Sequence, residues 1–203
     1  MNTPEKLSNK VGQVGHRENF WYLSISDSEK SEILPETVGQ LEGLADLEIR
    51  GCPNLKLLPD SLGQLKWLQR LEIVGCEKLE TLPETLGKLE TLSILEIRDC
   101  SNLTSLPMSL GKLKWLFRLI IGCANLMALP EDLGTLERLS HLRIMGCENL
   151  EMLPETLGRL KLKTLEIRSC VNLKAVPMSL KLDEVETLMI IDCQYLKSVT
   201  QGL

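Results

Sequence analysis

The sequence predicts an α/β solenoid of about eight turns, with a parallel β-sheet on its concave face and short helical turns on its convex face. Two residue types recur with the same period of 23–24 residues. Seven of the prolines, from Pro35 to Pro177, follow this period, and so do all seven cysteines, from Cys52 to Cys193. A unit of this length cannot bury its apolar face alone, so the stacked units must share one continuous core.

The apolar pattern changes between the two halves of each unit. Within residues 82–89 the apolar residues are spaced four and three apart, which is typical of one face of a short helix. Within residues 95–97 the spacing shortens to two, which indicates a strand. The units match the signature Leu-x-x-Leu-x-Leu-x-x-(Asn or Cys)-x-Leu, so the predicted fold is a leucine-rich repeat horseshoe.

Proline and glycine punctuate the helical half of each unit. Pro83 suits the first helical position because its missing N–H would have no partner there. The glycine four residues later, Gly87 in this unit, is predicted to end the turn.

The two ends of the chain depart from the repeat. Residues 20–40 are predicted to form an N-terminal capping repeat, in which Ser28 lies where a cysteine is due. Residues 1–19 carry no pattern and predict a flexible leader before a repeat domain over 20–203. The last unit has lost its glycine and no polar capping helix follows, which favours a chain cut from a longer array over a poorly covered final turn.

The cysteines are predicted to be structural thiols rather than disulfides or metal ligands. Equivalent side chains on stacked turns point in parallel, which disfavours disulfide geometry, and no two cysteines have the close spacing of zinc ligands. Each is expected to be a small buried residue with a weak S–H donor, and reduced thiols indicate the cytoplasm or the nucleus. The seven positions are Cys52, Cys76, Cys100, Cys123, Cys147, Cys170 and Cys193.

Composition argues against several functions. The formal net charge is −5, which disfavours sequence-independent binding to nucleic acid. No apolar run approaches the roughly 20 residues of a membrane-spanning helix. The chain has only two histidines, and His141 has no nucleophile near it in the predicted sheet, so we expect no enzyme, no cofactor and no metal.

The repeated unit resembles a known family. Residues 47–55, Leu-Glu-Ile-Arg-Gly-Cys-Pro-Asn-Leu, and their equivalents are similar to the C-terminal repeats of plant nucleotide-binding leucine-rich-repeat immune receptors of the disease-resistance type. The resemblance implies a recognition and autoinhibition module, with a nucleotide-binding domain in cis on a longer parent chain. The phosphate-binding motif of that domain is absent from these 203 residues.

A second resemblance gives the alternative. The Leu-Pro-x-x-Leu-Gly half of the unit is similar to plant intracellular Ras-group-related repeat proteins, which would make the chain a stand-alone signalling scaffold or adaptor.

A protein partner is expected on the concave face and its rim. Glutamates and arginines alternate there, and exposed pairs of this kind contribute only about 0–1 kcal/mol each, so a solvated face with cancelling charges is the competing interpretation. The centre of the footprint is placed at Ile120, where the unit lacks one residue before Cys123, and Trp115 is either a rim contact or packing over its neighbours. The predicted partner-binding residues are Trp67, Arg70, Ile94, Glu96, Arg98, Trp115, Arg118, Ile120, His141, Arg143, Met145 and Arg168.

Overall fold

The computed structural model describes residues 12–17, 20–26 and 32–196, and it has the leucine-rich repeat solenoid that the sequence predicts. Nine strands form one sheet in which the spatial order equals the chain order. The strands are β1 (Gln13–Arg17), β2 (Phe20–Ser26), β3 (Leu44–Arg50), β4 (Arg70–Val74), β5 (Ile94–Arg98), β6 (Arg118–Gly122), β7 (His141–Met145), β8 (Thr164–Arg168) and β9 (Thr187–Ile191).

Strands β2 to β9 are parallel and pair through equivalent repeat positions. Leu47 pairs with Leu71, and Leu71 pairs with Leu95, so each apolar residue lies beside its counterpart in the next turn. These leucines are fully buried between the sheet and the convex turns. The register therefore confirms that the residues between them form columns on the concave face.

In six turns a short 3-10 helix directly follows the proline on the convex side, and in the last described turn the 3-10 helix follows Lys181 instead. Pro83 lies immediately before its helix with an extended backbone, and its carbonyl oxygen accepts a hydrogen bond from the Leu86 N–H at 3.0 Å. Proline thus precedes the first helical residue instead of occupying that position. The 3-10 helices are Glu36–Gln40, Asp60–Gln64, Glu84–Lys88, Met108–Lys112, Glu131–Thr135, Glu155–Arg159 and Leu182–Glu184.

The glycine of each turn has a different role from the one predicted. Gly87 lies inside its 3-10 helix and its φ is not positive, so it does not end the turn as a left-handed cap. A Cβ at Gly87 would lie 2.5 Å from the Ser109 carbonyl oxygen, on the next turn. Glycine is needed here because adjacent convex turns stack too closely for a side chain.

Strand β1 differs from the predicted flexible leader. Gln13–Arg17 pair antiparallel with β2, with Gln13 opposite Ser24, so residues 13–17 cover the first edge of the sheet. An antiparallel edge strand does not carry the repeat pattern, so the period of the sequence could not predict it. Ser28, the predicted substitute for a cysteine, lies outside the described residues.

The last described turn is less buried than the turns before it. Leu188 and Ile190 of β9 are partly exposed, whereas their equivalents Leu165 and Ile167 in β8 are fully buried. A turn with a neighbour on one side only has half of the packing contacts of an internal turn. No helix in the described part of the chain is long and apolar enough to cross a membrane.

Candidate functional site

The cysteines form a buried ladder beside the sheet, as predicted. Six are buried, Cys193 is partly buried, and all seven are free thiols. The Cys100 thiol donates to the Arg98 carbonyl oxygen at 3.3 Å, and the Cys123 thiol lies 3.8 Å from the Ile97 carbonyl oxygen of the preceding turn. Burial raises the pKa of the Cys193 thiol. The described residues hold no group of three metal-ligating side chains.

The first half of the concave face is occupied by an internal ion cluster. Glu72 is fully buried and accepts hydrogen bonds from both Arg50 and Arg70, with Arg70 Nε 2.6 Å from its carboxylate. On the next strand Glu96 pairs with Arg98 at 2.5 Å. The interpretation of a solvated face is therefore wrong at Glu72, because two guanidinium groups cover its carboxylate.

A second ion cluster occupies the last part of the face. Glu166 pairs with both Arg143, at 2.9 Å, and Arg168. The Glu166 side chain is only 11% exposed, so it too is covered by the arginines that it binds. In both clusters every arginine is paired with a glutamate of the sheet, although the two arginines of the second cluster share the single carboxylate of Glu166.

Strand β6 lies between the clusters and contributes no carboxylate to the face. Its three concave residues are Arg118, Ile120 and Gly122. Arg118 lies between Ile94 on β5 and His141 on β7, and it pairs with no carboxylate among the described residues. Five of the six concave arginines thus pair with a glutamate of the sheet, and among the described residues Arg118 is the one that does not.

Ile120 does not provide the exposed centre that the sequence predicted. Its side chain is only 8% exposed, between Glu96 on β5 and Arg143 on β7. This turn lacks one residue before Cys123, and at that point the Arg98 side chain lies over Gly122. A Cβ built on Gly122 would lie 3.1 Å from the Cγ of Arg98. Ile120→Glu would therefore bury a charge, and it is not a clean probe of binding.

Beside Arg118 the surface is aromatic and polar. The rings of Phe117 and His141 meet edge to face with centroids 4.7 Å apart, and His141 Nδ1 lies 3.0 Å from Thr164 Oγ1. The pKa of His141 is lowered, first by burial and then by the positive charges of Arg118 and Arg143. Burial and the neighbouring positive charges thus disfavour protonation of the imidazole.

Two tryptophans stand on the rim of the sheet. Trp67 is 66% exposed and Trp115 is 53% exposed, so neither is covered by the protein's own packing. The Arg138 guanidinium stacks on the Trp115 ring at 3.6 Å from its centroid. Stacked cations and exposed aromatic rings are common at protein interfaces.

The structure thus brings part of the predicted site together. Arg118 and His141 meet at the centre, and Ile94 and Met145 lie partly buried on the strands beside it. The arginines and glutamates of the two ion clusters pair with each other.

We name Phe117, Arg118 and His141 the central patch. Phe117 and Arg138 were not among the predicted residues. Arg138 could have been found, because it occupies the repeat position of Trp115 one turn later.

No protein-family model matches the sequence, and no curated protein matches it. Solved structures do: the leucine-rich repeat domain of the type III effector XopL is 25% identical, with a TM-score of 0.63 over 87% of this chain and 70% of that one. A leucine-rich repeat protein of Leptospira interrogans is 22% identical with a TM-score of 0.50, covering all of this chain and 59% of that one. A plant ice-binding protein is 22% identical with a TM-score of 0.53, covering 84% of this chain and 61% of that one.

Fold and comparisons together define a leucine-rich repeat protein. Solenoids of this type present an extended concave surface on which partners bind. The chain is an interaction module of that class.

Proposed function

We propose that this chain is a non-catalytic recognition module that binds a protein partner through the central patch and the adjoining rim. The observation that carries the proposal is the contrast across the concave face. Arginines on either side of β6 pair with buried or largely buried glutamates, whereas Arg118 pairs with no carboxylate among the described residues. An acidic side chain of a partner would complete that pairing, with Phe117 and Trp115 supplying apolar contacts.

Arg118→Glu is expected to weaken partner binding at least about tenfold, because a charged residue at the centre of an interface is often a hot spot. The melting temperature should change little, since Arg118 holds no internal ion pair among the described residues. The wild type and the variant are each used as bait in affinity purification, and the captured proteins are compared. Each protein that the variant recovers less well is then purified, and its affinity for both baits is measured by calorimetry. Arg159→Glu on the convex side is the matched control, because it makes the same change of charge at an exposed arginine that lies in a 3-10 helix, outside the sheet. Equal recovery of every partner by wild type and Arg118→Glu would place the footprint elsewhere.

The pH dependence of binding should report His141. Its pKa in the free protein lies below 6.5, so a partner carboxylate nearby would raise that pKa and binding would take up a proton. Affinity should therefore increase as the pH falls from about 7.5 to about 5.5, and His141→Gln should remove this increase. Stability should change in the opposite direction. Because the pKa of His141 is lower in the folded chain than in the unfolded chain, the unfolded chain takes up the proton more readily, and the free energy of unfolding should fall as the pH drops below 6.5. Calorimetric titration of the captured partner at both pH values measures the effect, and an affinity that falls with acidification would contradict it.

The finer proposal concerns the parent protein. The resemblance of the repeats supports the recognition and autoinhibitory domain of a plant-type intracellular immune receptor with a nucleotide-binding domain in cis. The alternative is a stand-alone signalling scaffold. The buried thiol ladder suits a reducing compartment, so we propose the cytoplasm or the nucleus. Sequencing the full-length transcript decides between the two: an upstream nucleotide-binding domain supports the receptor, and an upstream stop codon supports the scaffold.

A further inference from the structure

A basic groove runs along the side of the solenoid and reaches Trp115 on the rim, but its lining includes none of the three residues of the central patch. Its volume is about 680 Å³, and it crosses the turns from Gly63 to Trp115. Four exposed lysines line it: Lys66, Lys88, Lys112 and Lys114. For a chain with a net charge of −5, this is a marked local reversal of sign.

The lysines come from equivalent places in successive turns. Lys88 and Lys112 are the last residues of their 3-10 helices. Lys66 and Lys114 each lie two residues after the last residue of such a helix. The Lys66 N–H donates to the Gln64 carbonyl oxygen at 2.8 Å, and the Lys114 N–H donates to the Lys112 carbonyl oxygen at 2.9 Å. The backbone that carries the charges is therefore fixed by the repeat.

Their charges are not balanced within the described residues. None of the four lysines takes part in an ion pair there, in contrast to Lys163 and Lys174, which pair with glutamates of neighbouring turns. The one acidic residue lining the groove is Glu90, which occupies the repeat position between Lys66 and Lys114. At this repeat position the groove therefore carries a positive charge at Lys66, a negative charge at Glu90 and a positive charge at Lys114.

Trp115 forms an apolar wall at one end of the groove, and Trp67 lines a second groove that shares Gln64 and Lys66 with the first. The two rings are two turns apart on the same rim, with Thr91 at the position between them. An apolar side chain of a ligand could therefore pack against a tryptophan while acidic groups contact the lysines.

We propose that this lateral groove is a second binding surface, which takes an acidic peptide segment in the polyproline II conformation, with carboxylates three residues apart and an apolar residue between them. Two turns of the solenoid separate Lys66 from Lys114 by roughly 10 Å at about 4.8 Å per turn. Three residues of polyproline II span about 9 Å and return the side chain to the same face of the peptide, so both carboxylates can face the groove. An uncharged residue then lies opposite Glu90. A nucleic acid fits this arrangement less well, because its evenly spaced phosphates would place a negative charge against Glu90.

The test uses a fluorescein-labelled peptide of about twelve residues with two glutamates three positions apart and a leucine between them. Fluorescence anisotropy should give binding by the full chain, and replacing both glutamates by glutamine should weaken it at least about tenfold. In the protein, Lys66→Gln with Lys114→Gln should cause a similar loss. Lys161→Gln is the matched control, because Lys161 occupies the same repeat position two turns beyond Lys114 and lies outside the groove.

Further variants make the outcome decisive. Glu90→Gln should tighten binding of the peptide several-fold, and circular dichroism should show all variants folded. Equal affinity for the glutamate and glutamine peptides would overturn the proposal, as would tighter binding of a single-stranded DNA oligonucleotide than of the peptide. Arg118→Glu should leave binding of this peptide unchanged, so the groove and the concave site can fail independently.

Discussion

Gly87→Ala is expected to lower the melting temperature by about 6–12 °C, which corresponds to about 3 kcal/mol for a domain of this size. The reason is the stacking of convex turns: the added Cβ would lie 2.5 Å from the carbonyl oxygen and 2.6 Å from the Cβ of Ser109. Both atoms belong to the next turn, and one of them is backbone, so neither can move away cheaply. Overpacking of this kind typically costs about 1–3 kcal/mol and more where the backbone must shift.

Gly146→Ala separates this steric effect from backbone strain. Gly146 has φ +62° and open space where a Cβ would be placed. Alanine there meets only the cost of the left-handed conformation, about 1 kcal/mol, so the melting temperature should fall by about 2–4 °C. Thermal unfolding followed by circular dichroism compares the two variants. If Gly146→Ala proves as destabilising as Gly87→Ala, close stacking is not what requires glycine in the turns.

Glu72→Lys is expected to destabilise the protein by about 3–5 kcal/mol, because it places a third positive charge in a fully buried position between two arginines. In the wild type the Glu72 carboxylate is 0% exposed and binds Arg50 and Arg70 together. Without it the two guanidinium groups also lose the acceptor that holds them against the sheet. Urea unfolding measures the change in the free energy of unfolding.

Glu48→Lys is the control for this prediction. Glu48 lies beside Glu72 on the adjacent strand, but its side chain is 24% exposed and 3.8 Å from Arg50, so its replacement should cost about 1 kcal/mol or less. Adding Arg70→Glu to Glu72→Lys restores opposite charges and should recover part of the lost stability. Equal effects of Glu72→Lys and Glu48→Lys, or no recovery in the double variant, would mean that the buried ion cluster does not stabilise the fold.

The two variants also bear on function, because the ion clusters decide which charges remain for a partner. Glu72 keeps Arg50 and Arg70 occupied, and Glu166 does the same for Arg143 and Arg168. Loss of either glutamate would create a second positive patch beside Arg118. The selectivity of the concave face therefore depends on residues that are themselves buried.

The period of the chain determined most of the architecture. Because cysteine and proline each recur once per turn and the leucines recur in the same pattern, equivalent residues of successive turns must be neighbours, which gives the parallel register of β2 to β9 and the columns of the concave face. The same reasoning correctly made Cys100 and its equivalents buried thiols. It misjudged Gly87, since the repeat says that a glycine is required but not whether conformation or space requires it.

The tertiary structure decided which of the predicted residues are available to a partner. Arg70 and Arg118 occupy the same column and look alike in sequence, yet Arg70 binds a buried carboxylate and Arg118 does not. Ile120 was placed at an exposed centre but is buried between neighbouring strands. A period fixes where each backbone position lies, whereas the burial and charge balance of a side chain depend on the particular residues on the strands at either side.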